Sequence, residues 1–221
     1  MKLWLNALIK YISGLLMMGL LLFLPAGTPA YAGGWRFIGL LFIPMLILGI
    51  ALLIKAPDLL AKRLNAKEKQ TVQKGIVAAA GMIFLLAFVL AGLDHRYGWT
   101  VVPAWLIWLS SAVMLLSYGM YAEVMRENAY LSRTVEIQQG QRLIDTGLYG
   151  IVRHPMYTST VLLFLAVPLV LGSWVSFLVM LLYPAAIVLR IVNEEKVLEE
   201  GLEGYREYKK RVKYRLIPFI W

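Results

Sequence analysis

The chain has 221 residues, of which 60% are hydrophobic and 16% charged, and its mean hydropathy is +0.70. That composition excludes an ordinary soluble domain and points to a multi-spanning membrane protein. The formal charge of +9 is gathered in loops beside apolar runs, as for orientation signals and anionic lipid rather than nucleic acid; with no cysteine and only His95 and His154, neither disulfides nor a dedicated zinc site is expected.

Four apolar runs, near 7–24, 35–54, 75–92 and 103–122, are long enough to cross a bilayer, which takes about 20 residues as a helix. Lys2 and Lys10 at the start of the first, and Ala30-Tyr31-Ala32 after it, imitate a secretory signal with its cleavage site. This first run is expected to be retained as a span. Lys55, Lys62, Arg63, Lys67, Lys69 and Lys74 crowd the next connection, which is therefore cytoplasmic. Alternation then puts the uncharged 25–34 loop outside, together with Asp94-His95-Arg96, read as a wetted turn. Trp99, Trp105 and Trp108 fit an interfacial belt on that side. The 123–156 connector falls inside.

The last apolar stretch, Tyr157 to Leu189, is too long for one span and is broken by Leu171-Gly172-Ser173. It predicts a tight helical hairpin with both ends on one side, its arms kinked by Pro168 and Pro184. In the tail, Val197, Leu198, Leu202, Tyr205, Tyr208 and Val212 recur at helical spacing, with Glu207 and Arg211 an i,i+4 pair on the wet side. This predicts an amphipathic helix lying along the membrane surface or capping the spans. The expected fold is thus an all-α integral membrane protein with four spans, a C-terminal helical hairpin and a cytosolic tail helix. Residues 1–122 form the transmembrane part, and 123–221 the connector, hairpin and tail.

Two polar clusters flank the hairpin. Arg153-His154-Pro155-Met156-Tyr157 opens it, with Pro155 suited to the first turn of a helix, where a missing N–H costs nothing. Arg190, Glu194 and Glu195 close it, and a charge at the membrane end of a span is expensive unless paired or functional. Because a hairpin returns the chain to the side it left, the two clusters should meet at the membrane–cytosol boundary. Interfacial anchoring and an ion-paired collar around the open end of the hairpin are the plain readings. The absence of G-x-G-x-x-G counts against a Rossmann-type nucleotide site, and Gly147-Leu148-Tyr149-Gly150 reads as a turn into the hairpin. Asn128, Arg133, Gln138, Gln139 and Gln141 lie in the connector, where contact with a ligand competes with simple solvation. Tyr205 and Tyr208 are expected to pack the tail helix.

The order Gly147-x-Tyr149, Arg153-His154-Pro155-x-Tyr157 and Arg190-x-x-x-Glu194-Glu195, set around an apolar hairpin, resembles the signature region of isoprenylcysteine carboxyl methyltransferases. It is similar also to the wider set of membrane methyltransferases that includes phospholipid methyltransferases. The resemblance covers roughly residues 123–221. It implies an S-adenosyl-L-methionine-dependent O-methyltransferase, multi-pass, with its site facing the cytoplasm, in what the compact chain suggests is a bacterial plasma membrane. By the family pattern Tyr149, His154, Tyr157, Glu194 and Glu195 would line the cofactor site, and Arg153 and Arg190 would face the reacting group. No metal is implied. The acceptor would be a lipophilic or lipidated molecule carrying a carboxylate, prenylcysteine-like or otherwise.

Residue chemistry is compatible with that implication. Methyl transfer needs positioning and exclusion of water. A carboxylate acceptor is already anionic and needs an orienting partner, which arginine's planar fork supplies better than lysine. Aromatic rings suit a sulfonium charge. Other classes stay open: a membrane reductase using a nicotinamide cofactor, a phospholipid or amine methyltransferase, and a non-enzymatic membrane scaffold. Against a transporter, the first four runs carry no ionisable residue near mid-span. The sequence leaves the oligomeric state open.

Overall fold

Apolar runs without internal charge become helices in a bilayer because every backbone N–H and C=O must find its partner inside the segment. The computed structural model describes residues 2–65, 70–132, 134–135 and 137–221, so Lys67, Lys69 and Arg133, named above, lie outside the described residues. Among the described residues every regular element is a helix and none is a strand. Five helical segments among the described residues are long and apolar enough to cross a membrane, the fifth running from Trp174 to Gly201. The protein is an all-α integral membrane protein.

Helices α1 (Leu3–Ala26) and α2 (Ala32–Lys55) cover the first two expected spans. A short helix, α3 (Pro57–Leu64), follows them, and α4 (Thr71–Tyr97) and α5 (Ala104–Glu127) cover the next two. The four span helices are each longer than the apolar run that predicted them, because helical hydrogen bonding continues past the edge of the hydrocarbon into polar residues. Part of the basic connection after the second span is itself helical, as α3. Pro57 occupies its first turn, Asp58 lies at its N-terminal end and Lys62 and Arg63 at its C-terminal end, the arrangement that the helix dipole favours.

The hairpin forms as expected. Its first arm is α6 (Pro155–Leu171), the turn is at Gly172 with φ 87°, and the return arm is α7 (Trp174–Met180) followed by α8 (Tyr183–Gly201). Pro155 does open α6, and Pro168 lies inside it. The expected kink at Pro184 is corrected: the return arm is interrupted at Leu181 and Leu182, and Pro184 sits in the first turn of the new helix α8. A proline lacks the N–H that would continue the ladder, so ending one helix and starting another costs less than bending one.

The tail also departs from expectation. The apolar series from Val197 to Val212 is divided: α8 runs on to Gly201, Gly204 turns the chain with φ 79°, and α9 (Tyr205–Arg211) begins after it. Leu202, Tyr205, Tyr208 and Val212 pack with Leu198, Ile137 and Leu143, so the tail closes over the connector. Arg211 pairs with Asp145.

Helix α1 lies against α4, and α5 runs along α6. Gly92 makes the first crossing possible, since a Cβ there would stand 2.7 Å from the Leu22 carbonyl oxygen. Leu22, Phe37, Phe88, Met114, Val167 and Val170 fill the centre. The outer faces present Leu24, Ile47, Ile54 and Leu116, each more than 60% exposed, as lipid-facing side chains should be.

At the hairpin tip the wetted turn expected at Asp94-His95-Arg96 needs correction. His95 and Arg96 are exposed, but Asp94 is 1% exposed. Its carboxylate accepts from the Ser173 hydroxyl at 2.5 Å, the Thr100 hydroxyl at 2.5 Å and the Thr100 N–H at 2.7 Å. Tyr31, which is also buried, donates to the Leu171 carbonyl at 2.8 Å and stacks on His95 at 4.3 Å. Asp94 therefore ties α4 to the tip of the hairpin. Trp99, Trp105 and Trp108 are exposed at this end, as a belt requires.

Asp94→Ala leaves the Ser173 and Thr100 donors without their acceptor in a buried place. It is expected to cost about 1–3 kcal/mol, read as a fall in the thermal midpoint of the detergent-purified protein. A midpoint equal to that of wild type would mean that this carboxylate does not hold the hairpin tip.

Candidate functional site

At the other end of the bundle the residues that open and close the hairpin meet. The turn Gly147–Gly150 delivers the chain to Arg153 and His154, and Pro155 starts α6. The segment after α9 runs alongside: the Arg153 N–H donates to the Tyr214 carbonyl at 2.9 Å, and the His154 N–H to the Arg215 carbonyl at 2.9 Å. Thr158 adds a bond from its hydroxyl to the Leu216 carbonyl at 2.8 Å. The tail is thereby pinned to the start of the hairpin.

Glu195 sits where these segments join, and it is 3% exposed. One carboxylate oxygen accepts from Arg153 Nε at 2.7 Å and lies 3.3 Å from His154 Nε2. The other accepts from Arg215 Nε at 3.0 Å, with Lys209 Nζ at 3.8 Å. Arg153, 6% exposed, also donates through Nη1 to the Val212 and Lys213 carbonyls, both at 2.8 Å. A carboxylate removed from water is tolerable only with such partners. Sequence reasoning named Arg153, His154 and Glu195 but missed Arg215 and Lys209. Their signal was weak, since basic residues in a basic tail resemble any solvated face.

A second chain of bonds runs beside the first. Arg190 Nε donates to the Tyr157 hydroxyl at 2.8 Å, and that hydroxyl donates to Glu194 at 2.5 Å. Tyr157 is 5% exposed, whereas Arg190 and Glu194 are half-buried.

These residues border an open cleft with an interior volume of about 110 Å³, smaller than the roughly 300–1,000 Å³ common for ligand sites. Tyr149, Arg153, His154, Tyr157, Arg190 and Glu194 line it; Glu195 lies behind the wall. Of the residues expected at the site, the structure brings all into one cluster, with Glu195 bound to its neighbours and outside the lining. Tyr130, Tyr205 and Tyr208 add further rings, and Leu131, Leu143 and Ile144 supply apolar surface.

The connector is braced around the same space. The Asn128 amide donates to the Tyr149 hydroxyl at 2.9 Å, and the Tyr208 hydroxyl donates to the Tyr149 carbonyl at 2.7 Å. Burial pushes the Tyr149 hydroxyl up to about 12 and raises that of Tyr208 further, so both stay protonated. Gln138 holds the Tyr130 carbonyl at 2.5 Å and its N–H meets the Gln141 side chain at 2.9 Å, while Gln139 is exposed. Asn128 and Gln141 line the cleft.

Residues 100–203 match the family described as phospholipid methyltransferase. That stretch takes in α5, the connector, the hairpin and both glutamates of α8. Over 91 residues the chain is 32% identical to the Delta(14)-sterol reductase TM7SF2 of Mus musculus. This match covers 40% of the chain and spans 22% of the reductase's own length.

Glu195→Ala strands the buried Arg153 guanidinium and releases Arg215 and Lys209. A loss of about 3–5 kcal/mol is expected, the usual consequence of breaking a buried ion pair. Limited trypsin digestion should then cut early at Lys209 to Lys213, and an unchanged digestion pattern would mean that Glu195 does not hold the tail.

Proposed function

We propose that this protein is an integral membrane S-adenosylmethionine-dependent methyltransferase that methylates a carboxylate on a lipophilic, prenylcysteine-like acceptor at the cytoplasmic boundary of a bacterial plasma membrane. The observation that carries the reading is the Arg190–Tyr157–Glu194 chain on the wall of the cleft, at the open end of an apolar hairpin.

The residues present suit the cofactor. The cleft offers a carboxylate at Glu194, several tyrosine faces and a buried hydroxyl, that of Tyr205, without a partner among the described residues. When bound, S-adenosylmethionine supplies an activated methyl group on a positively charged sulfur. Glu194 would hold the ammonium end, and the rings of Tyr149 and Tyr157 would face the positive charge. Arg190 would orient the acceptor carboxylate, which is anionic at neutral pH and needs no general base. Tyr157 couples the two by bonding both Arg190 and Glu194, so that the acceptor and cofactor subsites are built on one hydroxyl. Arg153 and His154 would line the cleft beside Tyr157, with Glu195 holding both from behind. Exclusion of water falls to the tail, whose Tyr205 and Tyr208 close over the connector.

The partial identity to a sterol reductase favours one other reading, in which the same cleft accepts a nicotinamide cofactor. Phospholipid or amine acceptors fit the family match equally in kind, and for them Glu194 in place of Arg190 would orient the acceptor.

Calorimetric titration of the purified protein separates these readings. S-adenosylhomocysteine is expected to bind saturably and NADPH not to bind; the reverse result would establish the reductase reading instead. In single-turnover assays with a prenylcysteine analogue, Arg190→Ala should lower the rate about 100-fold, the scale of a misplaced reactant. Its S-adenosylhomocysteine affinity should stay near wild type. Arg190→Lys should restore little, because an ammonium lacks the two-point fork. Normal turnover by Arg190→Ala would remove Arg190 from the acceptor site.

A further inference from the structure

The hydroxyl of Tyr205 is buried and has no hydrogen-bond partner among the described residues. Tyr205 is 3% exposed and lines the cleft. Such an orphan is costly, because the group has given up water and received nothing in return. The neighbouring Tyr208 offers a contrast on the same helix: its hydroxyl is satisfied by the Tyr149 carbonyl at 2.7 Å. Nor is Tyr205 needed as a phenol for packing. Its ring meets Tyr208 at 5.7 Å, and a phenylalanine ring would fill the same place.

The surroundings say what the hydroxyl can do. Burial raises its pKa well above that of an ordinary phenol, and the charges of Glu195 and Glu194 act in the same direction, opposed by Arg153. The group therefore stays protonated, a neutral donor in the charged part of the cleft. Glu195 is occupied by Arg153, His154 and Arg215. A donor at this position wants an oxygen from outside the chain.

We propose that the Tyr205 hydroxyl donates a hydrogen bond to a carboxylate oxygen at the amino-acid end of the bound S-adenosyl cofactor. The inference rests on the methyltransferase reading above and adds a binding residue to it. Glu194 then faces the ammonium while Tyr205 takes the carboxylate, so the zwitterionic end is read by one acceptor and one neutral donor. The apolar residues Leu143 and Ile144 leave the remainder of the cleft to the nucleoside.

The test is Tyr205→Phe in the full-length protein, titrated with S-adenosylhomocysteine and with 5′-methylthioadenosine, which lacks the amino-acid end. Loss of one hydrogen bond to a charged carboxylate should weaken S-adenosylhomocysteine by about ten- to a hundredfold and leave 5′-methylthioadenosine unchanged. The thermal midpoint of the unliganded variant should be equal to wild type or higher, since the deleted group is unsatisfied, and that result also shows that the variant folds. Unchanged S-adenosylhomocysteine affinity in Tyr205→Phe overturns this inference alone. Equal weakening of both ligands overturns the assignment to the amino-acid end. A wild-type protein that binds neither ligand overturns the methyltransferase reading and this inference with it.

Discussion

The site end of this protein depends on a buried carboxylate. Glu195, on the last turns of α8, is held by Arg153 and His154 from the start of the hairpin and by Arg215 from the tail. Three segments far apart in sequence are joined there. A surface ion pair would contribute little, because water screens it and long side chains resist being fixed. Here the arginine and the carboxylate are both nearly inaccessible, so each requires the other. The arrangement specifies geometry: it sets the height at which α6 and α8 meet and so where Tyr157 reaches Arg190 and Glu194.

A similar device works at the opposite end with neutral partners. Asp94 gathers the Ser173 and Thr100 hydroxyls and the Thr100 N–H, tying the hairpin tip to α4. Between the two polar clamps the helices pack by shape, as at the crossing of α1 and α4 beside Gly92. Helices in lipid gain little by burying apolar surface against each other, so close packing and hydrogen bonds must fix their arrangement. Clamps at both ends of the hairpin suit a site whose cleft lies beside it and whose residues come from both arms.

The division of labour at the cleft follows from burial. Glu195 and Arg153 are enclosed and bound to one another, and they act as framework. Arg190 and Glu194 are half-buried and stand on the cleft wall. Adjacent glutamates in one helix thus face different surroundings, because successive residues of a helix point about 100° apart. The tail adds its own contrast, with the Tyr208 hydroxyl satisfied by a backbone carbonyl and that of Tyr205 left without a partner among the described residues.

Much of this was legible in the sequence. Run length determined the spans, and the break at Gly172 the hairpin and its turn, because a bilayer demands about 20 apolar residues per crossing and internally satisfied backbone. The return of the hairpin determined that Arg153, His154 and Tyr157 would meet Arg190, Glu194 and Glu195. Only the tertiary structure decided which of them paired. Whether Glu194 or Glu195 enters the cleft is a matter of helix rotation, which a short polar stretch does not encode. The buried state of Asp94 depends on Ser173, 79 residues away, and the roles of Arg215 and Lys209 on a tail that folds back beneath the hairpin. Periodicity reports which side of a helix is apolar; it cannot report which distant polar group will arrive to cover the other side.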